Sequence, residues 1–182
     1  MRRKIIMSLL FIFLICADGL SQNLMTKNAF IGFYSKTPME NIQGENNQVF
    51  AVLNPATHQL VFAALLKGFL FPKELMQEHF NENYVESDLY PKATFSGSCA
   101  GDMHLDKEGI YQVLIKGMIT IHGVTQPLET PARLEVKKDR ILGTASFKII
   151  PESFKISIPG IVREKIAKEI NVQIQTTWLR TN

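Results

Sequence analysis

The sequence has few cysteines, a small net charge and no internal apolar run long enough to cross a membrane. Two cysteines in 182 residues are too few for a disulfide-built miniprotein. A net charge of +3, without a basic stripe interleaved with aromatic residues, argues against a nucleic-acid partner. Because 46% of the residues are apolar and only 20% are charged, the chain can bury a core, and its length predicts one domain.

The N-terminus predicts export. Basic residues 2–4 precede an uncharged apolar stretch, residues 5–17, which polar residues then end. As a helix, this stretch reaches about 20 Å, whereas a membrane span needs roughly 30 Å. We therefore expect residues 1–21 to be a cleaved signal peptide. Residues 22–182 are then one exported domain, periplasmic or secreted, without a permanent membrane span.

Neither cysteine is predicted to be functional. Lipidation of Cys16 is disfavoured because the preceding Ile15 is bulkier than the small residue that such a site requires. Cys99 lies in a GSCAG stretch that fits a nucleophile elbow, but an elbow needs a helix directly after the nucleophile. Residues 101–109 offer only a short polar connection, so we expect a buried thiol and no enzyme activity.

Strand patterns dominate the rest of the chain. Apolar and polar residues alternate with a period of two in residues 128–137, 144–149 and 170–178. Five further candidate strands are residues 28–34, 48–53, 59–67, 92–99 and 109–121. Eight strands in a chain of this length predict an all-β fold, either an antiparallel barrel or a sandwich.

One hairpin can be assigned residue by residue. A two-residue turn at His122 and Gly123 places Ile121 opposite Val124, and histidine tolerates the positive φ that such a turn requires. Every following pair is then fixed, and opposed residues share one face of the sheet. The apolar residues on the resulting inner face are Val113, Ile115, Ile121, Leu128, Ala132 and Leu134.

Helical spacing occurs at residues 72–84 and 161–169. In the first segment, one side carries Leu75, Met76, His79 and Phe80. This pattern suits either a lid or an ordinary helix closing one end of the sheet. The second segment has mixed charges, and we expect a short turn or helix that serves as a solvated connector.

No metal or cofactor site is predicted. His58, His79, His104 and His122 lie in four separate segments, without a second ligand at helical or strand spacing. Glu78 and His79 are a candidate acid–base contact, but neighbouring side chains on a helix point in different directions. We therefore expect a protein without a metal and without a cofactor.

The interior of such a barrel is either hollow or filled. Residues 60–66 and 69–71 are more apolar than a strand with one wet face requires. An eight-stranded barrel is just wide enough to fill with side chains or to hold one slender ligand. Composition leaves two functions open: a ligand-binding barrel, or a filled-core barrel that acts through its surface in stress response or partner binding.

Three motifs resemble the YceI-like family: LMQEHF at residues 75–80, YPKATF at 90–95 and KGMITIHGVTQP at 116–127. The resemblance covers nearly all of residues 22–182, although His122 stands where asparagine commonly precedes the glycine. It implies a lipocalin-like, antiparallel, eight-stranded barrel that is exported in bacteria. It also implies a pocket for a long isoprenoid chain or a similar amphiphilic lipid, and no catalytic activity.

Candidate ligand-binding residues are large apolar side chains at inward strand positions and on one side of the first helix. The expected wall residues are Phe30, Phe62, Ile115, Leu134, Phe147 and Trp178, and the expected helix residues are Met76 and Phe80. The expected partner is an isoprenoid or fatty amphiphile. The sequence leaves the oligomeric state open, including a homodimer.

The hairpin register predicts which substitutions destabilise the protein. Glutamate at Val113 or Leu134 would bury an unpaired charge and should lower the free energy of unfolding by about 3 kcal/mol or more. Glutamate at Gln112 or Arg133, on the outer face, should change it by less than about 1 kcal/mol. Urea denaturation of the four variants measures the difference, and equal losses at all four positions would contradict the register.

Overall fold

The computed structural model describes residues 22–180, so the expected signal peptide and Cys16 lie outside the described residues. Its strands are β1 (Leu24–Lys36), β2 (Asn41–Leu53), β3 (Gln59–Leu65), β4 (Lys92–Ala100), β5 (Gly109–Ile121), β6 (Val124–Val136), β7 (Arg140–Ile149) and β8 (Ile170–Leu179). Each strand pairs antiparallel with the next, and β8 closes the barrel against β1. The predicted all-β, antiparallel, eight-stranded, lipocalin-like barrel is confirmed.

The β5–β6 hairpin has the predicted register throughout. Its pairing begins at Ile121 opposite Val124 and continues without a shift to the far ends of both strands. The turn residues His122 and Gly123 have φ values of 50° and 70°, as a type I′ turn requires. Val113 is buried on the inner face, as expected from the alternation.

The first helical segment is confirmed as a helix, and the second forms a short turn, as one of its two predicted forms. Helix α1 (Glu74–His79) continues into a π-helical turn, Phe80–Tyr84. Within residues 161–169, the helical geometry is limited to the end of a 3-10 turn, Gly160–Val162. Tertiary contacts hold this segment instead: the backbone N–H of Ala167 donates to Ser35 Oγ of β1 at 2.8 Å. No helix within residues 22–180 combines the length and apolarity of a membrane span.

The two ends of the barrel carry different connections. One end, called the helix end below, carries residues 37–40, 66–91, 122–123 and 150–169. The other end carries only residues 54–58, 101–108 and 137–139. The long connections therefore cover one end of the barrel, and the position of any opening depends on how they pack.

Candidate ligand-binding cavity

The barrel encloses a cavity of about 480 Å³ that is lined mainly by apolar side chains. The β8 strand shows how the lining arises, because every second residue faces inward: Ile170, Val172, Ile174, Thr176 and Trp178. At a rise of about 3.3 Å per residue, these positions extend over about 26 Å. The interior is therefore not a fully packed core but a long apolar space.

Seven of the eight candidate ligand-binding residues line this cavity. They are Phe62, Met76, Phe80, Ile115, Leu134, Phe147 and Trp178. The inward assignment of Phe30 is wrong, because its neighbours Ile31 and Phe33 line the cavity and alternate residues of a strand face opposite sides. Phe30 lies instead on the outer face, where its ring and the Tyr34 hydroxyl group flank Gly32.

Trp178 closes the cavity at the end opposite the helix. Its indole is 1% exposed and its Nε1 donates to the carbonyl oxygen of Ala51 at 3.2 Å. The ring of Phe62 lies edge-on to it, with centroids 6.3 Å apart. Gly143 leaves room for the indole, since a Cβ there would lie 3.1 Å from Trp178 Cζ3. None of the short connections at this end lines the cavity.

An aromatic cluster fixes the helical segment over the helix end. Phe80 lies at its centre, stacked on Phe33 of β1 with ring centroids 5.3 Å apart. Phe71 and Phe69 contact the same ring at 5.1 and 5.7 Å. These three aromatic partners were not predicted as cavity residues, although the apolar excess at residues 69–71 was a signal for Phe69 and Phe71.

The cavity opens at the helix end. The charged residues of its lining, Glu40, Lys73 and Lys165, lie at this end together with His79, and Lys73 Nζ lies 3.5 Å from Glu40 Oε1. Leu75 also borders the cavity and is 60% exposed. An apolar interior with a polar rim matches an amphiphile whose chain lies inside and whose polar group lies at the opening.

Residues 160–168 form part of the cavity wall. The side chains of Val162 and Ile166, four residues apart, both line the cavity. The expectation that this segment is only a solvated connector is therefore wrong. Its exposed charged residues suggested that role, whereas its two apolar positions pack against the core.

His122 joins the two long connections that border the opening. Its Nδ1 lies 3.1 Å from the carbonyl oxygen of Phe154, and its Nε2 lies 2.6 Å from Glu86 Oε2. Because a carbonyl only accepts, Nδ1 donates to Phe154, while Nε2 forms a hydrogen bond with the Glu86 carboxyl group. The ring also packs edge-on against Tyr90 at 4.6 Å. The turn role of His122 was predicted, and this link was not.

Cys99 has the surroundings of a structural cysteine. It lies on β4 opposite Ile115, and a turn rather than a helix follows the strand. Burial raises the pKa of its thiol to about 11, which disfavours the nucleophilic thiolate. The described residues also contain no group of three side chains suited to hold a metal ion.

Comparisons with known proteins agree with this architecture. A family model described as the YceI-like domain matches residues 23–178. A polyisoprenoid binding domain from Saccharophagus degradans, implicated in plant cell wall breakdown, is 12% identical with a TM-score of 0.75, covering 89% of this chain and 99% of that one. BcnA of Burkholderia cenocepacia is 14% identical with a TM-score of 0.69, covering 84% and 96%. The YCEI protein of Campylobacter jejuni is 20% identical with a TM-score of 0.59, covering 76% and 85%. A search of curated proteins finds no match.

Two buried threonines in the cavity lining differ in their hydrogen bonding. Thr130 Oγ1 donates to the carbonyl oxygen of Ser146 at 3.1 Å. Thr176 Oγ1 is buried without a hydrogen-bond partner, and the methyl group of this side chain lies close to Gly143. A buried hydroxyl group without a partner lowers stability, whereas a satisfied one raises it.

Valine substitution should therefore have opposite effects at these two positions. Thr176→Val removes an unpaired hydroxyl group and should raise the free energy of unfolding by about 1 kcal/mol. Thr130→Val, which leaves a carbonyl oxygen without its donor, should lower it by about the same amount. Urea denaturation of ligand-free protein measures both values, and a similar loss of unfolding free energy in the two variants would contradict the prediction.

Proposed function

The chain belongs to the YceI-like domain family, and we propose that it binds a long-chain isoprenoid or a similar amphiphilic lipid inside its barrel. The observation that carries this proposal is the apolar cavity that extends from Trp178 to the opening at the helix end. Burial of each CH₂ group of a chain contributes about 0.8 kcal/mol, so a long apolar chain needs no charged anchor inside the barrel. The Saccharophagus degradans neighbour, described as a polyisoprenoid binding domain, supports the choice of ligand class.

The proposed function is ligand binding without catalysis. The polar groups near the opening, such as His79 and Lys73, lie on its rim and are suited to contact a polar headgroup. Cys99 is buried, and its raised pKa disfavours a role as a nucleophile. The alternative of a filled barrel that acts only through its surface requires a packed interior, and the cavity of about 480 Å³ favours the ligand-binding function.

We also propose that the protein is exported and that its site of action is periplasmic or extracellular. The basic residues 2–4 followed by apolar residues 5–17 support this proposal. Expression of the full chain in its host should yield a mature protein that lacks roughly the first 21 residues. N-terminal sequencing and cell fractionation test this, and intact Met1 on protein in the cytoplasm would overturn it.

The single tryptophan provides a direct test of ligand binding. Trp178 lies at the closed end of the cavity, so geranylgeraniol that fills the barrel should change its fluorescence during a titration. Ala145 lines the cavity on β7 opposite Ala132 of β6, and Ala145→Phe would fill part of it. We expect this variant to fold and to bind geranylgeraniol at least about tenfold more weakly.

The matched control for this titration is Ser146→Phe. Ser146 is the next residue on the same strand, is exposed and faces outward, so the added ring remains outside the cavity. This variant should bind geranylgeraniol as the unmodified protein does. Undiminished affinity in folded Ala145→Phe protein would count against the barrel interior as the binding site.

A further inference from the structure

Residues 160–168, called the mouth loop below, place an apolar side chain in solvent beside the opening. Val162 and Ile166 of the loop line the cavity, whereas Ile161 between Gly160 and Val162 does not. Ile161 is 92% exposed, the highest value among the large apolar side chains of residues 22–180. A fully exposed isoleucine next to an apolar cavity is a feature that binding inside the barrel does not require.

Hydrogen bonds hold the mouth loop in place, and its fixed backbone conformation leaves the Ile161 side chain in solvent. Arg163 Nη2 donates to the carbonyl oxygen of Ile158 at 3.0 Å, and the Ala167 N–H donates to Ser35 Oγ at 2.8 Å. These contacts fix the loop on both sides of its turn. The space beside Ile161 is also open, because a Cβ at Gly160 would meet no atom within 4 Å.

The net positive charge of the mouth loop favours contact with an anionic surface. The loop carries three basic residues, Arg163, Lys165 and Lys168, and one acidic residue, Glu164. Neither lysine forms an ion pair with any of residues 22–180, whereas Arg163 lies 3.7 Å from Glu152. Basic residues around an exposed apolar side chain are the combination that binds the interface of anionic lipid bilayers.

The opposite side of the opening, formed by α1, carries acidic residues. Helix α1 carries Glu74 and Glu78, both exposed, and an anionic surface would repel them. Lys73, which directly precedes Glu74, is paired with Glu40. The mouth loop, rather than α1, is therefore the side of the opening that suits contact with anionic headgroups.

We infer that the mouth loop docks onto an anionic phospholipid bilayer, with Ile161 inserted among the headgroups and Lys165 and Lys168 facing their phosphates. This inference rests on the proposed function, because a lipid ligand has its source or destination in a membrane. Docking brings the opening of the cavity to the bilayer surface. An apolar chain then passes between membrane and barrel without crossing water, which would expose its whole apolar surface.

Vesicle flotation tests the docking surface with matched variants. The protein should bind phosphatidylglycerol vesicles more strongly than phosphatidylcholine vesicles, and added salt should weaken this binding. Ile161→Ser should weaken binding at least about fivefold, because it removes the inserted apolar side chain. Ile110→Ser is the control, since Ile110 is also an exposed isoleucine, at 60%, but lies at the other end of the barrel.

The lysines provide a second matched pair. Lys168→Gln in the mouth loop should weaken binding to phosphatidylglycerol vesicles by about threefold or more, whereas Lys138→Gln should not. Lys138 lies in the short β6–β7 connection at the opposite end and is also exposed. Equal effects of the two isoleucine variants, or of the two lysine variants, would overturn the docking surface.

Titration with geranylgeraniol in detergent separates this inference from the proposed function. Ile161→Ser should retain the affinity of the unmodified protein, because Ile161 does not line the cavity. If Ile161→Ser binds geranylgeraniol normally but no longer binds vesicles, the result supports docking through the mouth loop. If Ile161→Ser binds both geranylgeraniol and vesicles normally, the result overturns the docking surface but not the proposed function. Failure of the unmodified protein to bind geranylgeraniol would instead overturn the proposed function.

Discussion

Closing eight antiparallel strands into a barrel directs every second side chain of every strand into one enclosed space. That space can be filled only if the inward side chains are large enough on all strands. In this chain, several inward positions carry small residues, namely Ala64, Ala132 and Ala145. Large residues such as Trp178 close one end, and the small ones leave the length of the barrel open. The apolar cavity is thus a consequence of strand alternation combined with side-chain size.

The long connections at the helix end determine how the cavity communicates with solvent. Phe80 anchors the helical connection to β1 through an aromatic cluster, and His122 links that connection to residues 150–169 through Glu86 and Phe154. These contacts hold both connections against the barrel while their outer residues remain exposed. The opening therefore has an apolar inner wall and a polar rim, the arrangement that an amphiphile requires.

The sequence predicted most strongly those features that local rules determine. The β5–β6 register followed from a two-residue turn and strict alternation, and it holds throughout. Phe30 was misassigned because β1 is apolar on both faces at residues 30–34 and its pairing with β2 shifts on either side of Ala29. The first half of β2 was not predicted because two of its inward positions lack an apolar side chain. Gly44 lies beneath the Phe33 ring, and the Asn46 side chain donates a hydrogen bond to the carbonyl oxygen of Leu65. Such positions depend on tertiary contacts that no local pattern reveals.

The central claim, that the barrel interior holds a lipid chain, is tested most directly by extracting protein purified from its own host with organic solvent. Mass spectrometry then identifies and quantifies what is released. The account predicts about one molecule of a long-chain amphiphile per barrel, since the cavity has room for one slender ligand. Extracts with no more lipid than those of an unrelated protein purified in the same way would contradict it.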